Sequence, residues 1–380
     1  MSEWKKVNLG DLIEVKHGFA FKGAFITDEE NKNILVTPGN FHIGGGFKNT
    51  KFKYYNSDDF PSECILNEGD VVVTMTDLSK DSDTLGYSAK IPKIENVNFL
   101  HNQRIGLVQF KSKNADKDFF YWLMRTRDYQ GFIVGSASGT SIMHTSPSRI
   151  KEYEFSLPPL SEQKSIASVL SNLDDKIDLL HRQNITLEKM AETLFRQWFV
   201  EEADEEWEEI TFGDFVIPKK GKNITKSEAV AGHYPVVAGG LEPSCYHNEA
   251  NTKSPVITIS ASGANAGYVK LYTIPVWSSD SSYIDETITP YVYFSYIFLK
   301  VNQSQLSDKQ EGSAQPHIYP RHIMELDTLD YPENLICSFE ESVKPFFLKI
   351  KTNQTQIRTL TALRDTLLPK LMSGEVRVEK

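Results

Sequence analysis

Residues 161–199 decide the architecture of this chain, and they read SEQKSIASVLSNLDDKIDLLHRQNITLEKMAETLFRQWF. The stretch contains neither proline nor glycine, it follows Pro158 and Pro159, and Ser161 can cap its first turn. Leucine recurs at every seventh position, and the companion positions of the seam are Leu170, Ile177, Asn184, Ala191 and Trp198, which is the pattern of a helix that pairs with another helix. The residues predicted to pair are Leu173, Ile177, Leu180, Asn184, Leu187 and Leu194.

A second stretch with a similar seam lies close to the carboxyl end of the chain. It predicts a helix that ends at Ser373 and Gly374, with a kink or break at Pro345 and at Pro369. The residues predicted to pair in this second helix are Ile350, Asn353, Ile357, Leu360 and Leu367.

The remainder of the chain repeats itself, which indicates two related domains. The first recurring set is Trp4, Gly10, Asp11 and Gly18, which return at one constant offset as Trp207, Gly213, Asp214 and Gly221. The second recurring set is Gly139, His144, Pro147 and Ile150, which return at a smaller constant offset as Gly312, His317, Pro320 and Ile323. Because the second offset is the smaller one, the second copy is shorter than the first.

The repeat and the helices together predict an α+β fold with four parts. Residues 1–158 form a mixed α/β domain, 159–202 a spacer helix, 203–332 a second mixed α/β domain, and 333–380 a second spacer helix. Each helix can pack as a surface helix on its own domain, or the two can pair with each other. We favour mutual antiparallel pairing as a coiled coil, with a pseudo-twofold arrangement, because both seams are long and both follow equivalent domains. In that pairing Asn184 and Asn353 share one layer.

Composition limits the class of protein. An apolar share of 40% and a charged share of 24% are typical of a soluble globular protein. The cysteines, Cys64, Cys245 and Cys337, contain no C-x-x-C pair, which fits a reducing compartment and gives no zinc motif. No apolar leader follows Met1, and the most apolar stretch, residues 290–299, is too short to span a membrane. The sequence predicts a cytoplasmic protein without a membrane partner.

The net charge of −10 argues against nucleic acid, but the charges are segregated. Acid-free windows that contain bases and polar residues lie at 31–57, 129–151, 215–227, 250–279 and 312–324. Lysine and arginine bind phosphates, and polar side chains read base edges, so these windows predict contacts with double-stranded DNA. The candidates are Lys48, Lys51, Lys53, Thr140, Ser141, His144 and Arg149 in the first domain, and Lys219, Lys220, Lys222, Asn265, Gln315, His317 and Arg321 in the second.

Other interpretations of these residues stay open. The lysines can be solvated surface residues, and the two histidines can be capping or core residues. Helices of 39 residues are about 58 Å long, and twofold DNA readers place half-sites about 34 Å apart. The predicted helices therefore have the length of a spacer between two DNA-reading domains.

Motifs that would indicate an enzyme are absent. The sequence contains no G-x-x-x-x-G-K-[ST] loop for ATP, no Asn-Pro-Pro-Tyr or Asp-Pro-Pro-Tyr tetrapeptide of amino-methyltransferases, and no glycine-rich nucleotide fingerprint. Asp11 followed by Glu14 and Lys16 faintly resembles a nuclease metal site, but the spacing is too short and the second copy lacks the glutamate. We therefore predict no catalytic residue, no metal ligand and no cofactor in this chain.

Residues 157–167 (LPPLSEQKSIA), 194–199 (LFRQWF) and 360–375 (LTALRDTLLPKLMSGE) resemble the conserved regions of specificity subunits of type I restriction–modification systems. The opening Trp4, Leu9, Gly10 and Asp11 is similar as well, so the resemblance covers the whole chain. It implies two target recognition domains that each read one half of a bipartite DNA sequence. It also implies that the helices set the gap between the halves.

The same resemblance implies partners. Two modification (adenine methyltransferase) subunits would dock on the helices, and restriction (motor–nuclease) subunits would complete the enzyme. S-adenosylmethionine, ATP and Mg²⁺ would then belong to those partners. Two alternatives remain: a fused nuclease or methylase, which needs a catalytic motif, and a coiled-coil tether, which leaves two large aromatic-rich domains unexplained.

Overall fold

The protein is described here by a computed structural model that covers residues 4–77, 79, 83–139, 142–312 and 315–378. The chain divides into two compact units. The first comprises Met1–Ile177 together with Arg358–Lys380, and the second comprises Asp178–Ile357. Each unit therefore combines one of the repeated domains with a segment from each of the two long helices.

The strands of the first unit form mixed sheets. Their bounds are β1 (Lys5–Asn8), β2 (Ile13–His17), β3 (Ile26–Thr27), β4 (Asn33–Val36), β5 (Lys53–Tyr55), β6 (Ile65–Leu66), β7 (Val71–Thr74), β8 (Thr76–Asp77), β9 (Ser88–Lys90), β10 (Asn98–His101), β11 (Ile105–Phe110), β12 (Met143–His144) and β13 (Glu154–Leu157). One sheet has the order β3-β5-β4-β10-β6 and another the order β2-β11-β7-β9, while β1 pairs with β13 and β8 with β12. Strands β4 and β10 run parallel to each other.

Short helices cover the second of these sheets: α1 (Lys117–Leu123), α2 (Arg127–Gly135) and α3 (Pro147–Lys151). Asp116 caps α1 by accepting a hydrogen bond from the Phe119 amide at 3.0 Å. Phe119, Phe120 and Trp122 of α1 are fully buried, and they form one apolar cluster with Val71 and Val73 of β7, among others.

The first long helix, α4, spans Leu160–Arg196 and continues as a π-helical turn, Gln197–Glu201. The amide of Gln163 fixes the beginning of the helix, since it donates hydrogen bonds to the Pro158 and Asn114 carbonyls at 2.9 Å. Ile166 and Leu170 lie in the core of the first unit, and Phe195 and Phe199 lie in the core of the second. The helix is therefore part of both cores.

The second unit is built from β14 (Glu209–Thr211), β15 (Lys219–Lys220), β16 (Tyr234–Val237), β17 (Cys245–His247), β18 (Val256–Ser260), β19 (Val269–Tyr272), β20 (Trp277–Ser278), β21 (Ser281–Asp285) and β22 (Asp327–Leu329). Its helices are α5 (Phe212–Phe215), α6 (Val292–Val301), α7 (Gln303–Asp308) and α8 (Pro320–Met324). The sheet orders are β15-β21-β18-β19 and β17-β16-β20, and β14 pairs with β22. Short 3-10 turns elsewhere in the chain are Leu9–Asp11, Gly23–Phe25, Pro38–Asn40, Ser62–Cys64 and Gly263–Asn265.

The last helix, α9, spans Glu333–Ser373 without interruption. The helix therefore does not break at Pro345 or Pro369, and of the predicted kink or break the break is wrong. A proline inside a helix costs about 3 kcal/mol because a hydrogen bond is lost. Phe339, Val343 and Phe347 on either side of Pro345 are buried in the core of the second unit, and this burial outweighs that cost.

The two units share one strand connectivity, as the sequence repeat predicts. The order β2-β11-β7-β9 corresponds to β15-β21-β18-β19, the parallel pair β4–β10 corresponds to β16–β20, and the closing pair β1–β13 corresponds to β14–β22. Strands β3 and β6 have no counterpart among the described residues of the second unit, and they account for part of the additional length of the first copy.

The repeated residues have structural roles. A Cβ atom on Gly10 would lie 2.8 Å from Lys151 Cβ, and one on Gly213 would lie 2.8 Å from Met324 Cβ, so both positions admit only glycine. Asp11 accepts a hydrogen bond from the Asn8 amide at 3.0 Å, and Asp214 accepts one from the Thr211 amide at 2.9 Å. The repeat therefore preserves a packed turn.

All of the predicted pairing residues of α4 and α9 are buried or half-buried. In the second unit, Asn353 is fully buried and donates a hydrogen bond from Nδ2 to Asn184 Oδ1 at 2.9 Å. The predicted contact between the two asparagines is therefore present. Within the second unit, aromatic residues of α4, its π-helical turn and α9 take the place of leucines in the contact between the two helices. Phe195, Phe199 and Phe339 are among the largest fully buried side chains, and the rings of Phe195 and Phe199 both pack against that of Phe339.

Candidate nucleic-acid interface

Two of the predicted DNA contacts of the first unit, Lys48 and His144, lie near one edge of its sheets. The parallel strands β4 and β10 end at Val36 and His101, so the loops after both strands leave from the same edge. The loop after β4 is residues 37–52, the basic and aromatic window of the sequence. The carboxyl edge of parallel strands is the usual position of ligand sites in such sheets.

Lys48 lies in a cleft at this edge. The cleft is also lined by Pro38, Phe41, His42 and Ile43 from the same loop, and by Asp77, Ser79, Asp83 and Thr84. Lys48 is exposed, and its backbone amide donates to the Asn40 carbonyl at 2.8 Å, which fixes the position of the residue. The hydrogen-bonded backbone of the loop therefore places Lys48, a positively charged residue, in the cleft.

The carboxylate of Asp77, in the same cleft, already accepts hydrogen bonds from neighbouring residues. Burial raises the pKa of this carboxyl, but hydrogen bonds from Thr84 and Ser79 outweigh it and lower the pKa below its usual range. The Thr84 amide and hydroxyl both donate to Asp77 Oδ2 at 2.7 Å. Because its oxygens are already used, Asp77 fixes the shape of the cleft.

His144 stands beside this cleft. It pairs in register with Thr76 through β12 and β8, and its Nδ1 atom lies 3.1 Å from Thr76 Oγ1. The side chain is exposed, so His144 is not a core histidine. The predicted residues Thr140 and Ser141 lie outside the described part of the chain.

Two of the three remaining basic candidates of the first unit form ion pairs with carboxylates of the protein. Lys53 is paired with Asp28 at 2.6 Å, and Arg149 is paired with Glu152 at 2.9 Å. Lys51 is exposed and has a positive φ of 56°, at the turn before β5. Both pairs are well exposed, and such pairs contribute little stability, so a phosphate can replace either carboxylate.

The corresponding edge of the second unit holds Asn265 and His317. Strands β16 and β20 end there, and Asn265 Nδ2 donates to the Gly239 carbonyl at 3.3 Å in the loop after β16. His317 forms β-bridges with Ser262 and with Glu311, so its loop lies against the loop that contains Asn265. These loops occupy the same topological position as the cleft of the first unit.

Arg321 is held in an ion pair and against an aromatic ring. Its Nη2 atom donates to Glu311 Oε2 at 2.6 Å, and its guanidinium lies 5.2 Å from the centre of the Tyr319 ring. Tyr319 stacks in turn on His317, with ring centres 5.9 Å apart. Gln315 is exposed next to this stack. The predicted Gln315, His317 and Arg321 therefore do lie together.

The lysine candidates of the second unit lie on β15 and directly after it. Lys219 and Lys220 are exposed on that strand, and the Lys222 amide donates to the Ser278 carbonyl at 2.9 Å at the end of β20. Lys222 Nζ lies 5.9 Å from the centre of the Trp277 ring. Lys222 thus joins the edge described for Asn265.

Three residues at these edges escaped the prediction from sequence. Ile43 has 71% of its side chain exposed at the tip of the basic loop. Gln103 and Arg104 are exposed directly after β10. The signal for Gln103 and Arg104 in the sequence was only weak, because single polar residues after a strand are too common to stand out.

A buried charge cluster supports the first edge from below. Arg125 donates to Asp174 Oδ2 at 3.1 Å, and Arg364 donates to Asp174 Oδ1. Arg125 also donates to the Gly44 carbonyl at 2.9 Å, and it stacks on Trp122 at 4.4 Å. The cluster therefore connects the basic loop to α4 and α9 within the first unit.

The described residues contain no group of three or more His, Cys, Asp or Glu side chains arranged to hold a metal ion. Across that same part of the chain, no helix has the length and apolar character required to cross a bilayer.

Comparison with known proteins relates this chain to a family. Residues 1–189 and 204–326 match the family model of the type I restriction modification DNA specificity domain. The chain is 28% identical over 307 residues to the type I restriction enzyme MjaIX specificity subunit of Methanocaldococcus jannaschii, covering 69% of this chain and 70% of that one. It is 25% identical to a putative type I specificity subunit of Mycoplasma pneumoniae, covering 97% and 96% of the two chains.

A solved structure has the same fold. The crystal structure of the type I restriction–modification S subunit from M. genitalium aligns with a TM-score of 0.59, covering 97% of this chain and 96% of that one at 21% identity.

Proposed function

Because the chain belongs to the family of type I restriction–modification DNA specificity domains, we propose that each of its units reads one half of a bipartite DNA sequence. One observation supports the proposal: both units have the same strand connectivity, and in both some of the polar and basic candidates lie in or beside the loops that follow the parallel strand pair, namely Lys48 in the first unit and Lys222 and Asn265 in the second. Two related edges that differ in their side chains suit a target made of two different halves.

The first edge offers Lys48 in a cleft with His144 beside it. The second edge offers Asn265 and Lys222, with the stack of His317, Tyr319 and Arg321. Arginine and lysine donate to guanine, and asparagine and glutamine pair with adenine in the major groove. The two sets favour different bases, which is what an asymmetric target requires.

In this proposal, helices α4 and α9 pair as an antiparallel coiled coil with a pseudo-twofold arrangement, and they set the gap between the two halves. The contact between Asn184 and Asn353 supports it, since a polar pair in an apolar seam fixes register. The helices also dock two modification subunits, and exposed apolar residues such as Leu179, Ile185 and Leu363 support docking there.

The subunit itself is non-catalytic in this proposal. The methyltransferase and motor–nuclease subunits supply the chemistry, with S-adenosylmethionine, ATP and Mg²⁺ bound by those subunits, and the assembly works in the cytoplasm. The absence of catalytic motifs in the sequence supports this assignment.

The test is co-expression with the modification subunit encoded beside this chain, followed by genome-wide sequencing of methylated adenines. We expect one bipartite motif with a fixed gap. Replacing Leu180 and Leu187 with glutamine should abolish that motif, because both side chains lie in the seam of α4. The matched control replaces His181 and Lys189, which are exposed on the same helix, with glutamine and should leave the motif intact.

Two other results would contradict the proposal. If a complex forms but no adenine is methylated, the chain does not direct modification. If the seam variant methylates the same motif with the same gap, the helices do not set the spacing.

A further inference from the structure

The tip of the basic loop is a tight turn formed by residues 42–46. The His42 amide donates to the Gly46 carbonyl at 3.1 Å, and the Gly45 amide donates to the His42 carbonyl at 3.0 Å. Phe41 and Phe47 pair on either side of the turn, and both pack into the same apolar cluster. The turn is therefore the end of a small hairpin whose base lies in the protein core.

The turn is fixed from below by the domain. The Gly46 amide donates to the Ser88 carbonyl at 2.8 Å, and the Gly44 carbonyl accepts from Arg125 Nε at 2.9 Å. Gly45 has a φ of +84°, and a Cβ atom there would lie 2.6 Å from Arg125 Cγ. Arg125 is itself buried and held by Asp174. Hydrogen bonds at Gly44 and Gly46 therefore connect the backbone of the turn to the rest of the domain.

Ile43 projects from this fixed turn with 71% of its side chain exposed, which is the largest value among the exposed apolar side chains described. It lines the same cleft as Lys48 and His42. Because it is exposed, the Ile43 side chain contributes little burial energy to the folded protein, although the backbone of its turn is fixed. Among the groups that base pairs display in the major groove, the thymine methyl is the apolar one.

We propose that Ile43 reads a thymine in the half-site bound by the first unit, through contact with the C5-methyl group in the major groove. This inference rests on the proposed function, since it requires that the first unit binds DNA at this edge. Lys48 and His42 then face the hydrogen-bonding groups of the thymine and its neighbours, and Arg125 is a positioning residue that keeps the turn in place.

The test uses the assembled complex with the modification subunit and duplexes that carry the target found by methylation sequencing. Each thymine of the half-site is replaced in turn by deoxyuridine, which removes only the methyl group. We expect one position at which this replacement weakens binding about fourfold, the value for one buried methyl contact. Fluorescence anisotropy measures the affinity.

The variant I43A should weaken binding to the thymine duplex by a similar factor, and it should no longer distinguish thymine from deoxyuridine at that position. The matched control is I94A, another exposed isoleucine in a loop of the same unit. Ile94 precedes strand β10, whereas Ile43 follows strand β4. The I94A variant should bind and discriminate like the unaltered chain.

Three results would overturn the inference while leaving the proposed function standing. The first is a half-site without thymine. The second is a set of deoxyuridine duplexes that all bind like the thymine duplex. The third is an I43A variant that binds more weakly but still distinguishes the two bases, which would indicate a wedge between base steps. A complex that binds no specific DNA at all contradicts the proposed function instead.

Discussion

The carboxylate of Asp174 connects three elements of the first unit through two arginines. Arg125 is almost fully buried, and Arg364 has 17% of its side chain exposed, so both guanidinium groups depend on Asp174 for a negative partner. Burial raises the pKa of Asp174, but the two arginines outweigh it and hold the pKa below its usual range. A buried arginine without a partner destabilises the folded protein, because its charge has lost its hydration and has no opposite charge in place of the water.

We predict that D174N destabilises the protein by about 1–3 kcal/mol, less than a fully buried pair would because Asp174 keeps some solvent access. The folded pKa is lower than the unfolded one, so Asp174 contributes stability that is full above about pH 4 and is lost as the pH falls through the folded value. Urea unfolding between pH 2.5 and 7 should show a shallower acid loss in D174N. The control D175N, at an exposed neighbour, should behave like the unaltered chain.

Asn184 and Asn353 offer a second test at single residues. Asn353 is fully buried, and its Oδ1 atom has no hydrogen-bond partner in the described structure. Replacing Asn184 alone with leucine should cost about 1–3 kcal/mol, because the buried amide of Asn353 then loses its shorter hydrogen bond and keeps only Gln183 Oε1, at 3.4 Å, as an acceptor. Replacing both should recover that loss and raise the melting temperature above the unaltered chain. A double replacement that costs the sum of the two single replacements, Asn184→Leu and Asn353→Leu, would show that the pair is not coupled.

At the scale of secondary structure, one helix caps another. Glu340 of α9 accepts hydrogen bonds from the Phe294 amide at 2.8 Å and the Tyr293 amide at 3.1 Å, at the beginning of α6. Burial raises the pKa of Glu340 to about 7, although these two hydrogen bonds lower it. The capping carboxyl therefore titrates near neutral pH.

We predict that this carboxyl makes the protein less stable as the pH rises from about 4.5 to about 7, since the folded pKa lies above the unfolded one. E340Q keeps an acceptor for the amides and should remove this pH dependence, with a gain of about 1–3 kcal/mol at pH 8. Thermal unfolding at pH 5, 7 and 8 measures it. E341Q, at the exposed neighbour, is the control, and an unchanged pH slope in E340Q would refute the prediction.

The elements also show what the sequence can predict. The heptad leucines and the two asparagines identified both long helices and the Asn184–Asn353 contact, because helix periodicity is a local signal. The sequence did not predict that α9 continues through Pro345, because that depends on burial of Phe339 and Phe347 against residues far away in the chain. Tertiary packing overrode a local preference there.

The candidate site was predictable only in part, for a similar reason. Some residues of the acid-free windows, such as Lys48 and Asn265, lie at the two edges, and the repeated His144 and His317 form similar β-bridges with Ser138 and Glu311. The sequence did not reveal that Arg321 and Lys53 are paired with acids, or that Ile43 is fixed and exposed. Those facts depend on contacts between residues separated along the chain, which charge patterning does not encode.

At the scale of the whole molecule, charge limits DNA affinity. The net charge is −10, and residues 204–332 carry 9 basic and 17 acidic side chains. Because phosphate contacts supply most non-specific affinity, a chain with this balance should hold DNA weakly by itself. A complex with partners that surround the DNA should hold it tightly.

We predict that the isolated chain binds its target no better than micromolar at about 150 mM salt, near the range of non-specific binding. Addition of the modification subunit should tighten binding by at least a hundredfold, toward the range of specific complexes. Anisotropy titrations with target and scrambled duplexes measure both. Nanomolar, strongly salt-dependent binding of the target by the isolated chain would contradict this prediction.

The first unit takes its last residues from the far end of the chain. Leu368, Leu371 and Met372 of α9 pack with Ile166 and Leu170 of α4 in its core, although the whole second unit lies between these two segments in the sequence. A ribosome therefore releases the amino-terminal domain before the last residues of its core have been synthesised, by which time the whole second unit has been made. We expect a stop codon near the end of the gene to remove core residues from the domain at its beginning.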